Sequence, residues 1–160
     1  MRVAYVVIGF ALAIASAFQA APSWATSWDA YAKAIAPFIA DPNDSGFQML
    51  QTFDGKPVVW EGTVAKDAKY VDEPYATFVI EVTPQTFKYA DAKPAGTVQV
   101  TILKVEPKEG SLAAWKRVPP GTKVRFRAVL KAPLYAFVTM DDKTEGFFYA
   151  SEAEPILGGR

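Results

Sequence analysis

Asp54-Gly55-Lys56-Pro57-Val58-Val59-Trp60-Glu61-Gly62-Thr63-Val64 decides how this chain is read. Asp54-Gly55 is a turn pair, since aspartate bonds its own backbone and glycine accepts the left-handed conformation. Beyond it, Val58, Trp60, Gly62 and Val64 fall on one face, and Val59, Glu61 and Thr63 on the other. A period of two marks a half-buried strand rather than a helix.

Outward from this stretch the same alternation recurs. A second strand, from Tyr75 to Thr83, places Phe78, Ile80 and Val82 inward and Thr77, Val79 and Glu81 outward. A third, from Thr97 to Val105, places Val98, Val100 and Ile102 inward and Gln99, Thr101 and Leu103 outward. The stretch between them, Thr83 to Pro94, reads as a long loop that carries Phe87 and Tyr89. Ser111 to Arg117 has a short helical pattern with Ser111 as its cap, stopped by Pro119-Pro120-Gly121. A fourth strand alternates Val124, Phe126, Ala128 and Leu130 inward with Lys123, Arg125, Arg127 and Lys131 outward. After Pro133 come Tyr135 to Met140, a turn over Asp141 to Gly146, and Phe147 to Ser151. Spacing leaves open whether these form a hairpin or an interrupted fifth strand.

Three strands, a short helix and at least two more strands are the order of a mainly β, five- to six-stranded Greek-key barrel, the OB-fold. Its helix, between strands three and four, plugs one end. Trp60 and Phe126 are expected to share its interior; with Phe78 and Trp115 they could line a pocket, but in a small barrel they fill it.

The amino-terminal part reads differently. Arg2 precedes an apolar run from Val3 to Ala15, followed by small residues and Ser23-Trp24-Ala25. A basic start, an apolar core and a small-x-small site describe a secretory signal peptide. It is placed at residues 1–25, with cleavage near Ala17 or Ala21 as alternatives. A retained anchor over Val3 to Ala21 is the rival, since that run is about long enough to span a bilayer. No basic stop-transfer cluster follows it, so removal, a periplasmic or secreted location and no stable membrane insertion are expected.

Residues 26–52 form an expected helical segment. Ser27 caps a helix with Trp28, Tyr31, Ile35, Phe38 and Ile39 at helical spacing, and Pro37 blurs its end. Asp41 to Gly46 breaks the chain, and Phe47 to Phe53 reads as a brief second helix. Residues 53–157 make the barrel. With no cysteine the chain has no disulfide, so an exported domain must rest on its core. About 135 residues after the expected cut can bury roughly two thirds of the unfolded surface. Lys plus Arg and Asp plus Glu each number 17, so no global field steers the chain to a polyanion or an anionic membrane.

The residue types narrow the chemistry. Without histidine or cysteine, a serine-histidine hydrolase, a thiolate nucleophile and a zinc site are excluded. Asp141, Asp142 and Glu145 could supply hard oxygen ligands, but their spacing is not that of an EF-hand and fits an acidic turn. Lys123, Arg125 and Arg127, with Lys131, could hold an anion; the same stripe fits a solvated strand whose charges guard against edge-to-edge association. The face that such barrels present to oligonucleotides lies on strands two and three. Here it shows Thr77, Val79, Glu81, Gln99, Thr101 and Leu103, neither basic nor aromatic. The loop with Asp67, Lys69, Tyr70, Asp72 and Glu73 is net acidic. Tyr70, Tyr75 and Tyr89 supply rings for stacking, but no positive groove accompanies them. A metal-dependent nuclease would need Arg125 and Arg127 with Glu61 or Glu81, and nothing in their spacing specifies one.

Phe53 to Val64, together with Pro120-Gly121-Thr122-Lys123-Val124-Arg125-Phe126-Arg127-Ala128, resembles exported bacterial OB-fold proteins of uncharacterised function, including the tRNA-anticodon-binding-like group. The resemblance spans roughly Phe53 to Ile156 and implies kinship of fold, with no catalytic residue to carry over. The functional expectation is an exported, non-catalytic binding or adaptor module without cofactor or metal. Its partner would be an envelope protein, a glycan or a small envelope ligand, met through Thr77, Glu81, Gln99 and Thr101. A nuclease or nucleic-acid binder on the same barrel is the alternative.

Overall fold

The computed structural model describes residues 20–41 and 43–158; the apolar run from Val3 to Ala15, read above as a signal peptide, and Ala17 lie outside them. Helices α1 (Ser23–Thr26), α2 (Trp28–Ala40) and α3 (Asp44–Gln51) precede strands β1 (Pro57–Val64), β2 (Phe78–Lys88) and β3 (Thr97–Pro107). Then follow α4 (Leu112–Trp115), β4 (Lys123–Val129), β5 (Tyr135–Met140) and β6 (Lys143–Pro155).

The sheet runs β3-β2-β1-β4-β6-β5, and β3 also pairs in parallel with β6, closing a five-stranded mixed barrel. This is the expected OB-type order, with α4 between β3 and β4. The closing strand is β6. β5 is an additional strand that pairs with β6 alone, so the open choice resolves as a hairpin. Its turn is shorter than expected: Asp141 and Asp142, at φ 48° and 61°, make the whole connection. That pair of left-handed residues matches the twist of a two-residue hairpin.

β1 and β4 follow the alternation throughout, pairing from Pro57 with Val129 to Thr63 with Lys123. Trp60 faces Phe126 across this ladder, and both are buried in one hydrophobic cluster. Asp54-Gly55 clamps the start of β1: Gly55 N–H donates to Leu130 O at 2.6 Å, and Asp54 Oδ1 accepts from Ala132 N at 2.8 Å. Against β2, β1 pairs only through Thr63 and Val64. There the crossing is tight, and a Cβ on Gly62 would lie 2.4 Å from the Ile80 side chain and 2.6 Å from Glu81 O.

Two strands depart from the expected pattern. β2 begins at Phe78, since Tyr75 sits in a turn at φ 63°. It then continues through half of the expected Thr83–Pro94 loop, because an irregularity between Glu81 and Gln85 takes up Pro84, which cannot donate to a ladder. Phe87 is buried as a result. In β3, Val98 and Val100 face inward as expected, but a register shift between Val100 and Leu103 moves Leu103 inside and Ile102 out.

The barrel's two ends are closed by aromatic residues. At one end Trp115 of α4 packs on Phe78, Tyr70 and Phe126. Ser111 stands at the expected cap position, yet its hydroxyl caps nothing. Its one proton is shared instead between Lys108 O at 2.7 Å and Ala153 O at 3.1 Å. Ala153 O also accepts from Trp115 Nε1 at 2.9 Å and Lys108 N at 2.9 Å, so three donors converge on one carbonyl.

At the other end α2 covers the gap where β1 and β2 part. Ser27 Oγ accepts from Ala30 N, as expected of a cap, and Trp28, Tyr31, Ile35 and Ile39 are buried along one helix face. Trp28 Nε1 donates to Thr83 O at 2.9 Å, and its ring meets Trp60 and Phe148 edge-on. Asn43 Oδ1 caps α3 by accepting from Gly46 N at 2.8 Å, one turn earlier than the sequence suggests.

Candidate functional site

The outer surface of β3, β6 and β5 forms a groove of about 980 Å³. Its shape follows from one small residue. A Cβ on Gly146 would fall 2.7 Å from both Phe137 and Val98, so only glycine lets the Phe137 ring lie across β6. Tyr135 and Phe137 thereby pack inward on Phe87, Tyr89 and Phe148, fixing the inner face of the hairpin. The opposite face of β5 presents Val138 and Met140, 45% and 66% exposed, to the groove.

Gln99, Thr101 and Lys104 on β3 line the groove beside Phe147 on β6, and Lys104 Nζ stands 3.8 Å from the centre of the Phe147 ring. An ammonium over a ring face is an attractive pairing of about 0.5–1 kcal/mol at exposed sites, and it leaves the donors of Lys104 open to a ligand. Two exposed ion pairs, Lys93–Asp142 and Lys143–Glu145, both at 3.2 Å, flank the turn and set local charge more than stability. Thr144 anchors the turn to the barrel, its hydroxyl accepting from Lys93 N at 2.9 Å while Thr144 N donates to Lys93 O.

Of the four residues expected to bind a ligand, the structure brings Gln99 and Thr101 into this groove and leaves Thr77 and Glu81 out. Thr77 precedes β2, and Glu81 lies between Thr63 and Ile102, where β1 crosses. Val138, Met140 and Phe147 belong to the groove and were missed. Their signal was apolar residues on both faces of the Tyr135–Met140 segment, which a strand wetted on one side does not need.

The expected anion stripe is dismantled in part. Lys123 pairs with Glu61 and Lys131 with Glu152, whose hydrogen bond holds the Lys131 ammonium above its ordinary range. Arg125 and Arg127 form no ion pair among the described residues, but Arg127 borders a hollow it shares with Glu152 and Glu154. β4 is flanked by β1 and β6, so its charges guard no edge.

The remaining candidates have structural employment. Tyr70, half-buried, donates its hydroxyl to Val118 O at 2.8 Å and packs on Phe78, and burial raises its pKa. Tyr89 packs on Phe137, leaving Tyr75 as the one exposed ring of the three named for stacking. Asp142 and Glu145 turn to lysines, and among the described residues no three acidic groups converge on a point that could hold a metal ion. Compared with family models, with curated proteins and with solved structures, the chain matches none.

Proposed function

We propose that the chain is an exported, non-catalytic binding module of the cell envelope, holding a protein segment, a glycan or a small envelope ligand in the β3–β6–β5 groove. The observation that carries this reading is the composition of that groove. The Gln99 amide, the Thr101 hydroxyl and the Lys104 ammonium supply orienting polar groups beside the exposed apolar surface of Val138 and Met140. A few placed polar groups on an apolar concavity are what ligand sites share. The chain's want of histidine and cysteine supports binding over turnover.

Retention of envelope protein and of arrayed glycans by the immobilised protein tests the reading. Gln99→Ala with Met140→Asp is expected to lose what the parent retains, while Arg125→Ala with Arg127→Ala keeps it. Hydrolysis of single-stranded DNA or RNA with added magnesium or calcium would replace this reading with the nuclease. Affinity for nucleic acid that falls steeply with salt and needs Arg125 and Arg127 would replace it with a nucleic-acid binder.

A further inference from the structure

We infer that leader removal breaks the Ala17–Phe18 bond and leaves Trp24 and Ala25 on the mature protein as part of its fold. The inference rests on the export reading and changes what is exported. Water adds to the Ala17 carbonyl under an envelope peptidase, the C–N bond opens, Ala17 keeps the carboxylate and Phe18 takes the amine.

Trp24 is half-buried and packs against the core. Trp60 is 1% exposed, and its indole Nε1 donates to Trp24 O at 3.1 Å. The Trp24 ring stands edge-on to Phe53 at 5.3 Å, and Ala25 is buried. A cut after Ala25 would remove this carbonyl and strand a buried indole N–H, which costs more than an exposed bond returns. It would also uncover Phe53.

A second observation points the same way. Ser27 caps α2, so a chain starting at Thr26 would set a new ammonium one residue ahead of the cap. The helix start already carries partial positive charge, which repels a cation there. In the sequence, Ala15-Ser16-Ala17 closes directly on the apolar run and offers small residues at both positions that a signal peptidase reads. Ala21 offers Gln19 at the first of them and is followed by Pro22, whose ring lacks an N–H.

The test expresses the full chain in an exporting bacterium and takes the intact mass and amino-terminal sequence of the periplasmic protein. A start at Phe18 is expected, and Ala17→Phe is expected to accumulate uncut precursor. A start at Thr26 or Pro22, or unchanged processing of Ala17→Phe, overturns the assigned bond and leaves export standing. A chain that keeps Met1 in the membrane fraction overturns the assigned bond in favour of a retained anchor, and one that keeps Met1 in the cytosol overturns the export reading and this one with it. A purified chain beginning at Thr26 is expected to melt about 5 °C or more below one beginning at Phe18. Equal melting would overturn the structural role of Trp24.

Discussion

The barrel closes its two ends with the same device, an indole N–H given to a backbone carbonyl, but draws it from different places. Trp115 comes from a four-residue helix inside the Greek-key path, and its ring partners Phe78, Tyr70 and Phe126 all belong to the barrel segment. Trp28 comes from ahead of the barrel, as does the Trp24 carbonyl that serves Trp60. One closure is intrinsic to the topology. The other is a cover that permits β1 and β2 to separate after two paired residues.

Breaking the intrinsic closure should do the most damage. Trp115→Ala empties a fully buried site and is expected to cost about 3–5 kcal/mol in urea unfolding. At the tight crossing of β1 over β2, Gly62→Ala should cost about 1–3 kcal/mol, because its Cβ would press on Ile80 and on the Glu81 backbone. A neutral Gly62→Ala would mean that β2 is not held there. Trp28→Phe keeps a ring under the cover but leaves Thr83 O without its donor, at about 1–2 kcal/mol. If Trp28→Phe instead matched Trp115→Ala, the distinction between plug and cover would fail.

Tyr31 sharpens the comparison from the opposite side, since the cover is imperfect. Its hydroxyl is buried with no hydrogen-bond partner among the described residues, so Tyr31→Phe should raise stability by about 1 kcal/mol near neutrality. Burial, with the Tyr135 phenol adding to it, holds the Tyr31 pKa well above the ordinary value. The unfolded chain therefore releases that proton near pH 10 and the folded chain does not. Stability is fully present below pH 10 and falls above it, by up to about 1.4 kcal/mol per pH unit from this residue. Tyr31→Phe should flatten that part of the alkaline slope in unfolding titrations. Smallest of all, Gln99→Ala in the groove should move stability by less than about 0.5 kcal/mol, as expected of a surface residue free of structural duty.

β1 and β4, paired from Pro57–Val129 to Thr63–Lys123, were the most legible strands in the sequence. β1 and β4 each have one apolar and one polar face, so alternation alone fixed which side of Trp60, Phe126 and Arg125 turns inward. β3 was not legible to its end, because Ile102-Leu103 offers two apolar neighbours and only the shift against β6 decides which is buried. Pro84 similarly reads as a loop until a bulge is there to hold it. Half of the candidate site, Gln99 and Thr101, was visible because the alternation of β3 holds as far as Thr101. The other wall depends on the Phe137 ring resting on Gly146, a contact between positions nine apart that no local pattern encodes.

Ala153 gives the closed cylinder a built-in reporter. A carbonyl that accepts from Lys108, Ser111 and Trp115 together is more polarised than its neighbours, and its stretching vibration is lowered accordingly. An isotope label at that single oxygen-bearing carbon would read the seam between β3 and β6 directly, its infrared band moving upward at the moment the cylinder unzips.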